Sequence, residues 1–88
     1  MARSKHLICG VHITERLKHA LEVQQILTEF GGNIKTRLGL HELSVAGEGP
    51  NGLLVIEFVG TDATFKKFTQ KLGKVVGVEV KQMVFDHP

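Results

Sequence analysis

Eighty-eight residues with 42% hydrophobic side chains make one small globular domain, residues 1–88, whose core is limited by its size: such a chain buries only about 60–65% of the surface its unfolded form exposes. A net charge of +2 is too weak to point to nucleic acid or a membrane surface, and no apolar run approaches the ~20 residues of a membrane span. The single Cys9 excludes an internal disulfide and fits a reducing cytoplasm, and the basic start, Met1-Ala2-Arg3-Ser4-Lys5, leads into a stretch interrupted by His12, Thr14, Glu15 and Arg16, which is not a secretory signal.

Residues 7–13 alternate as a strand. Leu7, Cys9, Val11 and Ile13 share an apolar face, and His6, Ile8, Gly10 and His12 share the other. Thr14 is placed to cap a helix over 17–30, where Ala20, Val23, Ile26, Leu27 and Phe30 form one stripe. Gly31-Gly32 stops that helix, one of the two in the left-handed conformation. A second strand over 34–43 is expected to set Ile34, Thr36, Leu38 and Leu40 on one face, with Lys35, Arg37, Gly39 and His41 on the other. Three glycines and a proline between Ser44 and Gly52 predict a long hairpin loop, with Asn51-Gly52 in the turn.

Leu53-Leu54-Val55-Ile56-Glu57-Phe58-Val59 is the most apolar run in the chain, bounded by Gly52 and Gly60, and reads as a central strand. Leu54, Ile56 and Phe58 form its drier face; Leu53, Val55, Glu57 and Val59 form the other. Thr61 or Asp62 caps a second helix with the apolar stripe Phe65, Phe68 and Leu72, a basic outer surface of Lys66, Lys67, Lys71 and Lys74, and Gly73 as C-cap. A last strand over 78–85 sets Val78, Val80, Gln82 and Val84 against Glu79, Lys81, Met83 and Phe85.

The order β-α-β-β-α-β, with right-handed crossovers, predicts an α+β ferredoxin-like sandwich: a four-stranded antiparallel sheet with both helices on one face. The other face lacks a helix layer. Its expected residues include Ile8, Gly10, His12, Leu53, Val55, Glu57, Val59, Arg37, Gly39, Met83 and Phe85, too apolar at the centre for a surface facing water. Gly10 and Gly39 leave gaps into which a second layer fits. A second subunit is the expected cover, and a wet, curled sheet is the alternative.

The fold hosts many activities, so chemistry has to come from residues. One cysteine excludes a thiolate-pair copper carrier. The central strand offers no ring on which bases could stack, and Glu57 opposes phosphate, so direct nucleic-acid binding is not expected. The turn at Thr14-Glu15-Arg16 has an arginine but no glycine cradle for an acylphosphatase-like reaction. The stretch from Ala46 to Gly52 has no following lysine or helix and is not a phosphate loop. No nucleophile lies beside a base. The five histidines, His6, His12, His19, His41 and His87, show no close ligand spacing, and read first as surface or interface residues. A metal would need His12 and His41 together with ligands from a second subunit.

The closing segment carries Lys71-Leu72-Gly73, a short link, then Gly77-Val78-Glu79-Val80-Lys81. It resembles that of the iron-only hydrogenase system regulators, a branch of the ACT-like regulatory domains, whose pattern is Lys-Leu-Gly and then Gly-Val-x-Val-Lys. Ile34-Lys35-Thr36-Arg37-Leu38-Gly39 resembles the family's second strand. The resemblance implies a regulatory or sensor module assembling as dimers or tetramers. The topology is also similar to the C-terminal domain of nickel-responsive repressors. Where those carry His-x-His and a cysteine, this chain has His41-Glu42-Leu43 and Gly52, so at best one ligand is kept. The expectation is a cytoplasmic, non-enzymatic regulatory domain with no cofactor and no membrane contact. It forms a homodimer or homotetramer, with a small effector at an interface built from Gly10, His12, Arg37, Gly39, Val55 and Glu57. The alternative is a transition-metal sensor using His12 and His41.

Overall fold

The computed structural model describes residues 4–44 and 47–87. The elements are β1 (Ser4–Ile13), α1 (Arg16–Glu29), a single 3-10 turn (Gly31–Asn33), β2 (Ile34–Ser44), β3 (Gly47–Phe58), α2 (Asp62–Gly73) and β4 (Val78–His87). The strands form one sheet in the order β2-β3-β1-β4, with every neighbouring pair antiparallel. This is the α+β ferredoxin-like arrangement, with β1 and β3 central.

Strict alternation decides the faces of β1, β3 and β4. Leu7, Cys9, Val11 and Ile13 of β1 and Ile56 and Phe58 of β3 are buried. They pack in one core cluster with Val23, Leu27 and Phe30 of α1 and Phe65, Phe68 and Leu72 of α2, so both helices cover the same face. Four phenylalanines form the centre of the core. Phe58 stacks on Phe68 with ring centroids 5.0 Å apart, and Phe65 and Phe30 lie 5.3 and 6.3 Å from Phe58. Such pairs add to simple area burial. Gln82, on the inner face of β4, gives its amide to Thr69 Oγ1 at 3.3 Å; that hydroxyl donates in turn to the Lys66 carbonyl.

Several local expectations are corrected. Thr14 does not cap α1: the capping position is Glu15, in the left-handed region at φ 50, with no side-chain cap. The entry is held instead by Thr14 N–H donating to the Gly77 carbonyl (2.8 Å) and Glu15 N–H donating to Asn51 Oδ1 (3.0 Å). Neither Gly31 nor Gly32 adopts a positive φ, because the chain leaves α1 through a 3-10 turn. Gly77 does, at φ 82, where a Cβ would lie 2.8 Å from the His19 ring. Thr61 caps α2 as expected, accepting from Thr64 N–H. The C-cap of α2 is Lys74 in the right-handed region, with Gly73 the last helical residue. Lys71 is not simply solvated: it bridges to Glu29 of α1 at 2.7 Å.

The expected loop between Ser44 and Gly52 is strand. β3 begins at Gly47, opposite Ser44, and the connection at 45–46 lies outside the described residues. Pro50 is tolerated because pairing with β1 begins only at Gly52, and pairing with β2 skips from Glu48 to Gly52 across a register shift.

Candidate functional site: the uncovered sheet face

A second register shift in β2 rebuilds the face that carries the candidate site. Ile34 pairs with Phe58, but Thr36 pairs with Glu57, leaving Lys35 as the extra residue of a bulge. A one-residue bulge inverts side-chain parity beyond it. Arg37 therefore pairs with Ile56 and Gly39 with Leu54, on the helix side, and a Cβ on Gly39 would lie 3.6 Å from Leu54 Cδ2. Leu38 pairs with Val55, on the uncovered face. The expectation that Arg37 and Gly39 belong to that face, and Leu38 to the core, is overturned by this bulge.

The register then lays out the uncovered face in rows from β4 to β2. Met83, Ile8, Glu57 and Thr36 form one row; Lys81, Gly10, Val55 and Leu38 the next; Glu79, His12 and Leu53 the third. Phe85 pairs with His6 at the upper margin. Of the expected site residues, Gly10, His12, Val55 and Glu57 come together here. Leu38 is 53% exposed, Met83 55%, Phe85 51% and Leu53 36%, so a continuous apolar patch faces outward. A hydrophobic surface of this kind marks an interaction site. A Cβ on Gly10 would meet nothing within 4 Å, so that row contains a hollow.

The charges on the face are paired. His6 Nδ1 and Glu57 Oε2 are 3.0 Å apart, and Lys81 Nζ lies 3.6 Å from Glu79 Oε2. The hydrogen bond from His6 holds the Glu57 carboxyl below the usual carboxylate range, with smaller help from the Lys35 charge and Thr36. Sequence reasoning put His6 and Glu57 on one face but missed their pairing; they are 51 residues apart, and only the β1–β3 register joins them. On the inner face, burial pushes the Cys9 thiol up to about 11.

Of the two candidate metal ligands, His12 pairs with Leu53 on the uncovered face, and the backbone of His41 pairs with Gly52 at the far end of β2. Among the described residues, no three His, Cys, Asp or Glu side chains gather where they could hold a metal ion.

No protein-family model matches the chain, and neither does any curated protein. Solved structures do match. An uncharacterized protein from Thermotoga maritima is 24% identical, with 93% of this chain and 99% of that chain covered and a TM-score of 0.77. CPII, a nitrogen regulatory PII-like protein from Thiomonas intermedia bound to ADP, AMP and bicarbonate, is 11% identical, with both chains covered fully and a TM-score of 0.55. The same protein bound to ADP, AMP and acetate is 12% identical, with 100% of this chain and 93% of that chain covered and a TM-score of 0.58. At these identities the likeness is one of fold: the chain has the ferredoxin-like architecture that these proteins share.

Proposed function

We propose that this chain is a small, non-enzymatic regulatory or sensor domain that works as a homo-oligomer, with the uncovered sheet face as its subunit interface. The observation that carries the reading is that face: Ile8, Leu38, Leu53, Val55, Met83 and Phe85 form an outward apolar surface with only internally paired charges. Four strands at ~4.8 Å spacing and ten residues at ~3.3 Å give a flat footprint of roughly 600 Å². That is close to the ~800 Å² per partner of a standard stable interface. A small effector fits the reading at the same interface, near Gly10, His12, Val55 and Glu57. The PII-like CPII offers a precedent for a regulatory protein of this architecture that holds small ligands. The finer assignment, an iron-only hydrogenase system regulator in the cytoplasm, rests on Lys71-Leu72-Gly73 and Gly77-Val78-Glu79-Val80-Lys81. Among the described residues no helix is long and apolar enough to cross a membrane.

Sedimentation velocity tests the assembly. At tens of micromolar, above the dissociation constant of an ordinary stable dimer, the wild type is expected to sediment as a dimer or larger. Val55→Lys sets a charge in the middle of the patch and is expected to raise the monomer fraction strongly. A wild type that is monomeric throughout that range would end the proposal.

A further inference from the structure

The two edges of the sheet are built differently. β2 carries register shifts at Ile34/Thr36 and His41/Leu43, with Lys35 and Arg37 in its first half. Bulges and charges are the means by which natural sheets keep an edge from pairing. β4 has neither a bulge nor a proline: its register against β1 runs unbroken from Val78 to His87. Gln82-Met83-Val84-Phe85 is an uncharged run in this edge. Met83 and Phe85 are 55% and 51% exposed on the uncovered face, and Val84 is 49% exposed on the helix side. β4 carries Glu79, Lys81 and Asp86, but between Lys81 and Asp86 it is uncharged on both sides and free of bulges, and such a run is a template for another strand.

We propose that β4 is a second assembly surface: it adds antiparallel to β4 of another copy about a two-fold axis at Val84, joining two sheets into one of eight strands. The occupant is chosen by self-complementarity. About a two-fold axis normal to the sheet, opposed residues must share a face, so the centre falls on a residue. Centring on Lys81 opposes two ammonium groups. Centring on Gln82 sets Glu79 against Phe85 of the partner subunit, and centring on Met83 sets Lys81 against Phe85 of the partner subunit. Centring on Val84 opposes Met83 to Phe85 of the partner subunit, twice, and Val84 to itself. Cross-strand apolar pairs of this kind stabilise sheets, whereas a charge facing a ring loses solvation.

The helix side agrees. A groove of about 340 Å³ runs between β4 and the first turns of α2, with Leu7, Phe65 and Val84 as its apolar lining and Asp62 and Lys66 among its polar wall. The axis at Val84 joins this groove to that of the second copy. It also runs the two α2 helices antiparallel, which sets Asp62, already bridged to Lys5 at 2.8 Å, toward Lys66 of the partner subunit. Opposite charges then face each other across the joined groove. This edge shares Met83 and Phe85 with the sheet face but not Leu38, Leu53 or Val55, so it can form when the centre of the face is disrupted.

Cysteine cross-linking reads the axis directly. Directly opposed residues of an antiparallel pair have Cα atoms ~4.5–5.5 Å apart, inside the range a disulfide spans. Val84→Cys is therefore expected to give, under mild oxidation, a band at twice the chain mass on a non-reducing gel. Gln82→Cys puts the two thiols four residues out of register, roughly 13 Å apart at ~3.3 Å per residue, and is expected to stay single. Cys9 is fully buried and does not compete. The same Val84→Cys in the Val55→Lys background is expected to cross-link still, because the edge does not need the face. A Val84→Cys chain that is folded by circular dichroism and remains single, Gln82→Cys cross-linking equally fast, or loss of the cross-link in the Val55→Lys background would each overturn the proposal.

Discussion

The bulge at Lys35 gives two adjacent residues opposite expected behaviour. Leu38 lies opposite Val55 on the uncovered face and is 53% exposed, whereas Arg37 lies opposite Ile56 on the helix side. Fully burying a leucine side chain is worth about 1.5–3 kcal/mol. Covering the half still exposed therefore contributes roughly 1 kcal/mol per chain, and a two-fold interface counts it twice, about 2 kcal/mol. Leu38→Ala keeps one methyl group, so its expected loss is about 1.5 kcal/mol. That is a rise of about tenfold in the dimer dissociation constant. Arg37→Ala removes nothing from the face and is expected to leave the constant within about twofold, since sites that share no contact do not couple. Sedimentation equilibrium over a concentration series measures both. If Arg37→Ala weakens association and Leu38→Ala does not, the parity of β2 is opposite to the one described, and the composition of the face is wrong.

Three further outcomes follow from the core and its charges. Phe58→Ala is expected to cost about 3–5 kcal/mol, a large part of the ~4–13 kcal/mol available to a domain of this size; urea unfolding followed by circular dichroism, at one protein concentration because assembly is linked to stability, checks it, and a loss below about 1 kcal/mol would refute the packing of Phe58. Cys9, buried with its thiol pushed up to about 11, is expected to resist a thiol reagent in the native protein at neutral pH and to react fully in guanidinium; fast native labelling would contradict its burial. The lowered pKa of Glu57 means that the unfolded chain takes up its proton first as pH falls, so the His6–Glu57 contribution is present above the ordinary glutamate pKa of about 4.3 and is lost as pH falls through the lower folded value; Glu57→Gln is expected to flatten the acid limb of a plot of urea midpoint against pH, and an unchanged limb would show that the pair does not affect stability.

What was legible in the sequence follows from where local rules apply without interruption. β1, β4 and residues 52–58 of β3 keep period-two alternation, so their faces, the Phe58–Phe65–Phe68 core and the central place of β3 could be read directly. β2 could not: the bulge falls on Lys35, with no glycine or proline to announce it, and one extra residue moves Leu38 outward and Arg37 inward. The hairpin was misread because glycine and proline signal a turn only where the backbone needs one. Here Pro50 sits where β3 has no partner in β1, and Asn51 uses its side chain to hold the start of α1. The positive-φ positions depend on tertiary contact too. Gly77 must be glycine both for its φ of 82 and because the His19 ring occupies the space of a Cβ, which the spacing of the two residues does not reveal.

Gly10 separates the needs of the fold from those of assembly. It sits mid-strand in β1, between Lys81 and Val55, where glycine weakens a strand and a Cβ would meet nothing within 4 Å. Its own chain therefore gives no reason for glycine. The hollow it leaves lies inside the apolar patch, in the row that includes Leu38 and Val55. If the hollow receives a side chain of a second copy, or an effector, filling it must have two effects of opposite sign. Gly10→Val is expected to raise the stability of the monomeric Val55→Lys protein by up to about 1 kcal/mol, the span of strand propensities. In the wild-type background the same substitution overfills a packed contact, at a cost of about 1–3 kcal/mol, and is expected to weaken association tenfold or more. Urea unfolding of the one and sedimentation of the other measure the two effects separately. Gain of stability with association unchanged would show that nothing enters the hollow, and Gly10 would then have no place in the interface.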